Sequence, residues 1–483
     1  SSNRIFRSSI HRASLLFGRR QQTLSSTASA EISITTKNEE RTVGLPPTWE
    51  DLTSTLEKVK VSSESSSPTP LVTLYRDTNG WCPFCERVWL ALHIKNIPYQ
   101  EVLVNLQDKP AWFLAMVPTG LVPAVLFHDD LINNESSSSE KGNDDDDEDK
   151  AAKAQPGRRL VWESLDIMKE LDKSFPDTPR LVQEDNADYM EARSIATSMT
   201  TAGFQYAYAG KNKTLTEEDK ASKKDEFNAA LDKFDEFLGQ NKDAGPFALG
   251  SSVSGIDVEI VPVLERWRYQ MPITNGMDIT DGGRRKCIQR WYDAMDQFEP
   301  YINRVKGDEY SWTAVAAFFV RIFGNSGEDG LTDEMQEAIN RAEAAADALT
   351  KKFTQPDEYP INTSFAIEAA SKIIANHKAI VSDCTNAEPK SQKEVTRAND
   401  AHAADMVLRA VANNLLMQQT QLNGDSVLIS PKFDSADQSK DAILSARTVA
   451  TRLCVPRDMG GPAASVLRRE LVQTADYIEK TLV

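Results

Sequence analysis

The chain has 483 residues, 40% of them hydrophobic and 26% charged, which is enough for two or three domains with substantial cores. A formal net charge of −17 argues against a nucleic-acid partner and against an anionic membrane surface. No apolar run approaches the ~18 residues of a membrane-spanning helix, and five cysteines, an odd and sparse set, fit a reducing compartment better than a disulfide framework.

The first 30 residues hold Arg4, Arg7, Arg12, Arg19 and Arg20 among serines and apolar side chains, with no acid before Glu31. This composition fits an organelle transit peptide, plastid or mitochondrial, over residues 1–45. A disordered basic tail on a cytoplasmic chain is the other reading. Residues 46–69 are rich in Ser, Thr, Glu and Pro and read as a linker, with a short helix around Trp49 to Val59.

Leu71 to Tyr75 reads as a strand, followed by a turn and a helix that opens on Cys82-Pro83-Phe84-Cys85. Unpaired N–H groups at a helix mouth stabilise a thiolate. Pro83 at the first helical position costs nothing, because its missing N–H had no partner to lose. Cys85, three residues on, is close enough to resolve a mixed disulfide on Cys82. Tyr99 to Val104 is a second strand, parallel to the first because a helix separates them. Lys109 to Met116 reads as a short helix and Leu121 to Phe127 as a third strand. Pro123 within it places an edge or a special turn there, with a cis Val122-Pro123 bond that would expose the Val122 backbone to a ligand.

Residues 133–157, with SSSS and DDDDED, form an acidic, solvated insertion that lacks the glycine turn and spaced ligands of a calcium loop. Leu160 to Trp162 reads as a short strand, and Glu163-Ser164 opens the next helix. Helices dominate from Asp188. Ser254 and Asp257 have the form of a capping box, starting an apolar helix through Trp267, and Ile288 to Phe298 continues the helical domain. Gly307 to Asp333 reads as a boundary, although Trp312 to Phe323 is apolar enough to be packed. Met335, Ile339, Ala342, Ala346, Leu349 and Phe353 then form one apolar seam. Further seams follow, the last helix starting at Pro462 after Gly460-Gly461.

Four stretches, WCPFCERVWLAL, VNLQDKPAWFLAMVPTGLVPAVLF, LVWESLDIMKELDKSFP and FALGSSVSGIDVEIVPVLERW, occur in the order found in glutathione S-transferases. Over residues 70–300 the chain resembles the cysteine-dependent members of that family, the omega, lambda and dehydroascorbate-reductase classes. The resemblance implies an α/β thioredoxin-like domain at 70–178 followed by an all-α domain at 186–306. Residues 331–483 would be an additional α-helical extension. It implies a glutathione-dependent thiol transferase or reductase with glutathione as co-substrate and a cleft between the two domains. Cys82 matches the catalytic cysteine and Phe84 a cleft residue. Lys109 matches a lysine that reaches a glutathione carboxylate, and Val122, before Pro123, the residue whose backbone pairs with the cysteinyl part. Glu163 and Ser164 match the pair that holds the γ-glutamyl end. Asp257 matches a structural helix cap.

Cys85 departs from the pattern, since the cysteine classes mostly carry another residue there and CPFC is more typical of glutaredoxins. A monothiol and a dithiol cycle both stay open. Cys82 and Cys85 as half a zinc site would need further ligands that no second Cys pair or His cluster supplies, so no metal is expected. Cys287, Cys384 and Cys454 read as packed or surface thiols, and His377 as a satisfied core histidine. The partners implied are glutathione and a small or protein thiol or disulfide. No nucleic acid and no membrane span are expected, and a homodimer is left open. The competing reading is a catalytically weak binding or assembly protein on the same fold, with the extension as a docking surface.

Overall fold

The computed structural model describes residues 41–63, 68–135, 158–209, 215–240, 245–324, 330–354, 363–385, 397–418 and 428–481. The transit-peptide and acidic-insertion expectations therefore fall mostly outside the described residues. Two units divide the chain: one spans Pro68–Ala345, and the second takes the described residues on either side, up to Ser67 and from Ala346. In chain order, β1 (Arg41–Gly44) and α1 (Trp49–Ser63) belong to the second unit.

The first unit opens with β2 (Val72–Asp77), α2 (Pro83–Ile94), β3 (Tyr99–Val104), α3 (Ala111–Met116), β4 (Ala124–His128), α4 (Asp129–Glu135), β5 (Arg158–Trp162) and α5 (Ser164–Ser174). The strands lie in the order β3-β2-β4-β5. Strand β2 is parallel to β3, as the strand–helix–strand order requires, and antiparallel to β4, which is antiparallel to β5. All six residues of β2 are buried, as befits the central position. Tyr75, Val104 and Ala124 pack with Phe113 and Val117 of the α3 segment.

Two elements start later than the sequence suggests, both because of proline. Pro110 disfavours a helical Lys109, so α3 begins at Ala111 with Pro110 at its N-cap. Strand β4 begins at Ala124, and the cis Val122-Pro123 bond lies in the turn before it.

Seven helices complete this unit's described part: α6 (Ala187–Ala209), α7 (Glu217–Gln240), α8 (Gly255–Thr274), α9 (Lys286–Met295), α10 (Glu299–Ile302), α11 (Glu309–Gly324) and α12 (Asp333–Thr350), the last crossing the division at Ala345. Helix α8 is buried continuously from Gly255 to Trp267 and packs on α2, α6 and α11. Its start is the expected box. Asp257 accepts from the Ser254 N–H at 2.8 Å and hydroxyl at 2.7 Å, and also from the Ala248 N–H and the Trp291 indole. The stretch from Gly307 to Asp333 contains the apolar segment expected to be packed. It carries α11, whose Ala316, Ala317 and Val320 pack on Met335, Ala338 and Ile339 of α12.

The second unit adds α13 (Thr363–Thr385), α14 (Ala401–Gln418), β6 (Leu428–Pro431), α15 (Ala436–Arg452) and α16 (Gly461–Thr481). Residues 46–69, read as a linker, carry α1, and its Leu52 and Leu56 enter a core with Ile373, Val411, Ala446 and Leu471. Arg41–Gly44, read as the end of a transit peptide, pairs in parallel with Leu428–Pro431. Buried Glu470 takes Arg41 at 2.8 Å and Asn414 Nδ2 at 2.8 Å, so the ion pair is fully hydrogen-bonded. His377 stacks on Trp49 at 4.3 Å and its Nδ1 lies 2.8 Å from the Ile374 carbonyl, a satisfied packing role.

Candidate active site

Register brings the sequence-marked residues of the first unit to one edge of the sheet. Asp77 pairs with Val104, Tyr75 with Ala124, and Ala124 with Trp162. The segments after β2, after β3, before β4 and after β5 therefore open on the same side. They carry Cys82-Pro83-Phe84-Cys85, Lys109, Val122-Pro123 and Glu163-Ser164 respectively.

Lys109 is half-buried and its Nζ donates to the Gly120 carbonyl at 2.7 Å. Removal from water pulls its ammonium below the usual lysine range, so an incoming carboxylate would restore what hydration no longer supplies. Glu163 caps α5 with φ 72°, a backbone region that non-glycine residues seldom occupy and that concentrates at ligand clamps. Ser164 behind it is buried at the helix mouth. Val122 is partly buried against the Tyr75–Phe113 cluster. The Phe84 ring lies 5.2 Å from the Arg87 guanidinium.

Cys82 stands at the N-cap of α2 with extended backbone (φ −75°, ψ 114°), no side-chain cap bond and Pro83 at the first helical position. Both cysteines are buried, at 4% and 1% exposure. Burial, reinforced by Cys82 and then Asp77, pushes the Cys85 thiol well above the usual thiol range. Cys85 is thus held protonated at neutral pH.

Three neighbours of the thiols were not singled out from the sequence. The first is Asp77 at the end of β2. Its Oδ2 accepts the Trp81 N–H at 2.8 Å, and a carboxylate oxygen and the two sulfurs lie within 4.8 Å of one another. Among the described residues this is the set of acid and thiol donors close enough to share an ion or a proton. Three donors fall one short of a closed zinc set.

The second and third are Arg266 of α8 and Glu86 of α2. Arg266 holds the Trp81 carbonyl at 3.1 Å, Glu86 at 2.6 Å and the Pro262 carbonyl, and its guanidinium lies 4.3 Å over the Trp312 ring. Trp312 in turn donates to Glu265 at 2.7 Å. Burial pushes the Glu86 carboxyl well above the ordinary range, with Arg266 pulling the other way and Glu265 adding to the rise. The guanidinium groups of Arg266 and Arg87 both lie within electrostatic reach of the Cys82 sulfur. On the outer side, the Trp81 ring meets Phe318 and Phe319 of α11 at 5.5 Å. One signal for Arg266 was legible: it lies among the apolar residues of α8, from Val258 to Trp267, and a charge buried in such a run must be paired.

A four-stranded mixed sheet with a thiol at the mouth of its first helix and a cis-proline turn on the same edge defines a thioredoxin-like thiol protein, here followed by a helical domain. A family model for the glutathione S-transferase N-terminal domain matches residues 81–138. Protein IN2-1 of Zea mays is 30% identical over 224 residues, covering 46% of this chain and 75% of that protein. Glutathione S-transferase DHAR3, chloroplastic, of Arabidopsis thaliana is 28% identical over 197 residues, covering 41% of this chain and 57% of its own length. Glutathione S-transferase L2, chloroplastic, of the same plant is 26% identical over 261 residues, covering 52% and 74%. The chain belongs to the glutathione S-transferase family, with the DHAR and L members among its relatives. Among the described residues no helix is long and apolar enough to cross a membrane.

Proposed function

We propose that the protein is a glutathione-dependent thiol transferase or reductase acting through Cys82. The observation that carries this reading is the convergence of the Cys82 turn, Lys109, Val122-Pro123 and Glu163-Ser164 on one sheet edge. Glutathione carries two carboxylates, an ammonium and a central thiol-bearing amide. Lys109 offers a cation to one carboxylate, and Ser164 at the helix mouth offers a hydroxyl and N–H groups to the other. Glu163 offers an acid to the ammonium, and the Val122 backbone pairs with the central amide.

The Cys82 thiolate attacks the glutathione sulfur of a mixed disulfide, forming a Cys82–glutathione bond and expelling the substrate thiolate, which takes a proton. A second glutathione, or Cys85, then attacks the Cys82 sulfur. Conjugation of glutathione to electrophiles is weak in this scheme, because Cys82 traps the thiol covalently. By analogy with relatives named chloroplastic and the arginine-rich residues 1–45, the working compartment is an organelle, plastid or mitochondrion. The acceptor is a small or protein disulfide.

The test is glutathione-dependent reduction of a small mixed disulfide by the full chain and by Cys82→Ser. Loss in the variant, with a glutathione adduct on Cys82 by mass in the parent, supports the reading. No turnover and no adduct in the parent would sink it. That outcome would favour the binding or assembly reading, which draws on one observation of its own: residues 346–483 contribute most of a separate core, and the three relatives cover only 41–52% of the chain.

A further inference from the structure

We infer that Glu86 and Glu265 hold one buried proton between them, and that this shared proton keeps Arg266 braced against the turn that carries Cys82. Glu86 lies in the first turn of α2 and Glu265 in α8, and both are buried, at 2% and 3% exposure. Each acid has one satisfied oxygen. Glu86 Oε2 accepts from Arg266 at 2.6 Å, and Glu265 Oε1 accepts from the Gly307 N–H at 2.6 Å and the Trp312 indole at 2.7 Å. The other two oxygens, Glu86 Oε1 and Glu265 Oε2, are buried with no donor among the described residues. The two side chains lie within hydrogen-bonding reach of each other. Two carboxylates cannot satisfy one another, because each only accepts. A single proton on Glu86 Oε1, donated to Glu265 Oε2, satisfies both oxygens at once in a charge-assisted bond.

The charges around the pair agree. With both acids ionised, two negative charges would share one guanidinium out of water; with one proton the three groups are neutral together. Burial holds the Glu86 carboxyl well above the ordinary range, against Arg266 and with Glu265 adding to the rise. From α10, Tyr301 faces both acids, yet its hydroxyl turned to Glu265 would still leave Glu86 Oε1 without a donor. From α9, Tyr292 faces Glu265 but donates to the Leu264 carbonyl at 2.7 Å. Arg87 of α2 also feels Glu86, but Glu259 weighs more on it, and it donates to the Glu259 carbonyl at 3.0 Å.

Arg266 links the pair to the thiol turn, since it also donates to the Trp81 carbonyl at 3.1 Å, one residue before Cys82. Loss of the proton sets two carboxylates side by side and drives Glu86 off the guanidinium that braces the turn. Glu86 and Glu265 are thus positioning residues that act on Cys82 through Arg266. This role goes beyond the thiol-transferase reading and does not require it.

The experiment uses the full chain with its glutamates isotope-labelled at the side-chain carboxyl. Infrared difference spectra compare the parent with Glu86→Gln and with Glu265→Gln near neutral pH. One protonated-carboxyl band of the parent should be missing from both variants, because either acid left alone has the guanidinium for a partner and ionises. A band lost in Glu86→Gln but kept in Glu265→Gln puts the proton on Glu86 alone and overturns the inference, as does a parent without the band. Urea titrations read by pulsed alkylation of Cys85 count the proton independently. The Glu86 shift is upward, so its stabilisation is full below the unfolded value and is lost as pH climbs to the folded one. From about pH 5 to pH 7 the folding constant of the parent should fall about tenfold per pH unit relative to Glu265→Gln, whose amide donates to Glu86 at every pH. Equal pH dependence overturns the sharing. For the turn itself, the peptide that carries Trp81 and Cys82 should take up deuterium about tenfold faster in the parent than in Glu265→Gln near pH 9. Equal uptake there overturns the positioning role. None of these readouts uses glutathione, so they stand apart from any failure of the thiol-transferase reading.

Discussion

Replacing Arg266 with leucine tests how α8 supports the thiol turn. The guanidinium donates to Glu86, the Trp81 carbonyl and the Pro262 carbonyl and covers the Trp312 ring. Leucine removes all of these, and Glu86, at 2% exposure, keeps an acid with no cation. The cost depends on pH, and its sign is fixed by the direction of the Glu86 shift. A carboxyl whose folded value lies above its unfolded one binds its proton more tightly when folded. Its contribution is fully present below the unfolded value and is lost as pH rises through the folded one. Without Arg266 the folded value rises further, so the loss continues to higher pH. Near pH 5 the variant forfeits two carbonyl hydrogen bonds and the stacked guanidinium, about 1–2 kcal/mol. Near pH 9 Glu86 would have to ionise unpaired, and the deficit should approach about 3–5 kcal/mol. Urea titrations at both pH values, read by pulsed alkylation of Cys85 at a fixed pH, report on the first unit alone. A deficit that does not change with pH, or one under about 1 kcal/mol near pH 9, refutes the reasoning.

Lys109→Ala should raise the KM for glutathione about 10- to 100-fold, the worth of ~1.5–3 kcal/mol for a charged hydrogen bond, with a smaller effect on kcat. In steady-state kinetics an unchanged KM would remove Lys109 from the binding site. Because burial pushes the Cys85 thiol upward, a brief exposure to iodoacetamide at pH 7 should leave it unmodified while Cys82 is alkylated; peptide mass mapping reads both directly. Asp257→Ala strands four donors, the Ser254 N–H and hydroxyl, the Ala248 N–H and the Trp291 indole, all directed at one buried carboxylate. The variant should lose about 3 kcal/mol or more, seen as an earlier urea midpoint; a change under about 1 kcal/mol would mean that water replaces the carboxylate.

What the sequence disclosed followed the distance over which each feature is encoded. The buried run of β2, the proline at the mouth of α2 and the box from Ser254 to Asp257 are local and could be read directly. That the segments of Cys82, Lys109, Val122 and Glu163 open on one side of the sheet came through resemblance, because register between strands leaves no mark in any one strand. Asp77 was not singled out: nothing within a few residues announces that its carboxylate lies near both thiols. Arg266 is separated from Glu86 by 180 positions, so only its place in a largely apolar run hinted at a partner. Within residues 41–63 the helix around Trp49 to Val59 was legible, and the distant partners of the segment were not. Arg41 pairs with Leu428, and a Ser- and Thr-rich segment with one short amphipathic helix looks like a linker until its distant partner is known.

The pairing of β1 with β6 has a consequence for biosynthesis. β1 and α1 leave the ribosome before the first unit, and α16, which carries Glu470, leaves after it. Throughout translation of the intervening residues, Arg41 lacks its acid, and Leu52 and Leu56 lack the core that buries them. The first unit can collapse in that interval, whereas the second is completed only when segments on either side of the first unit come together. A nascent-chain factor that shields the short helix α1 would act in that window, and removing either β1–α1 or α16 would unmake the same unit.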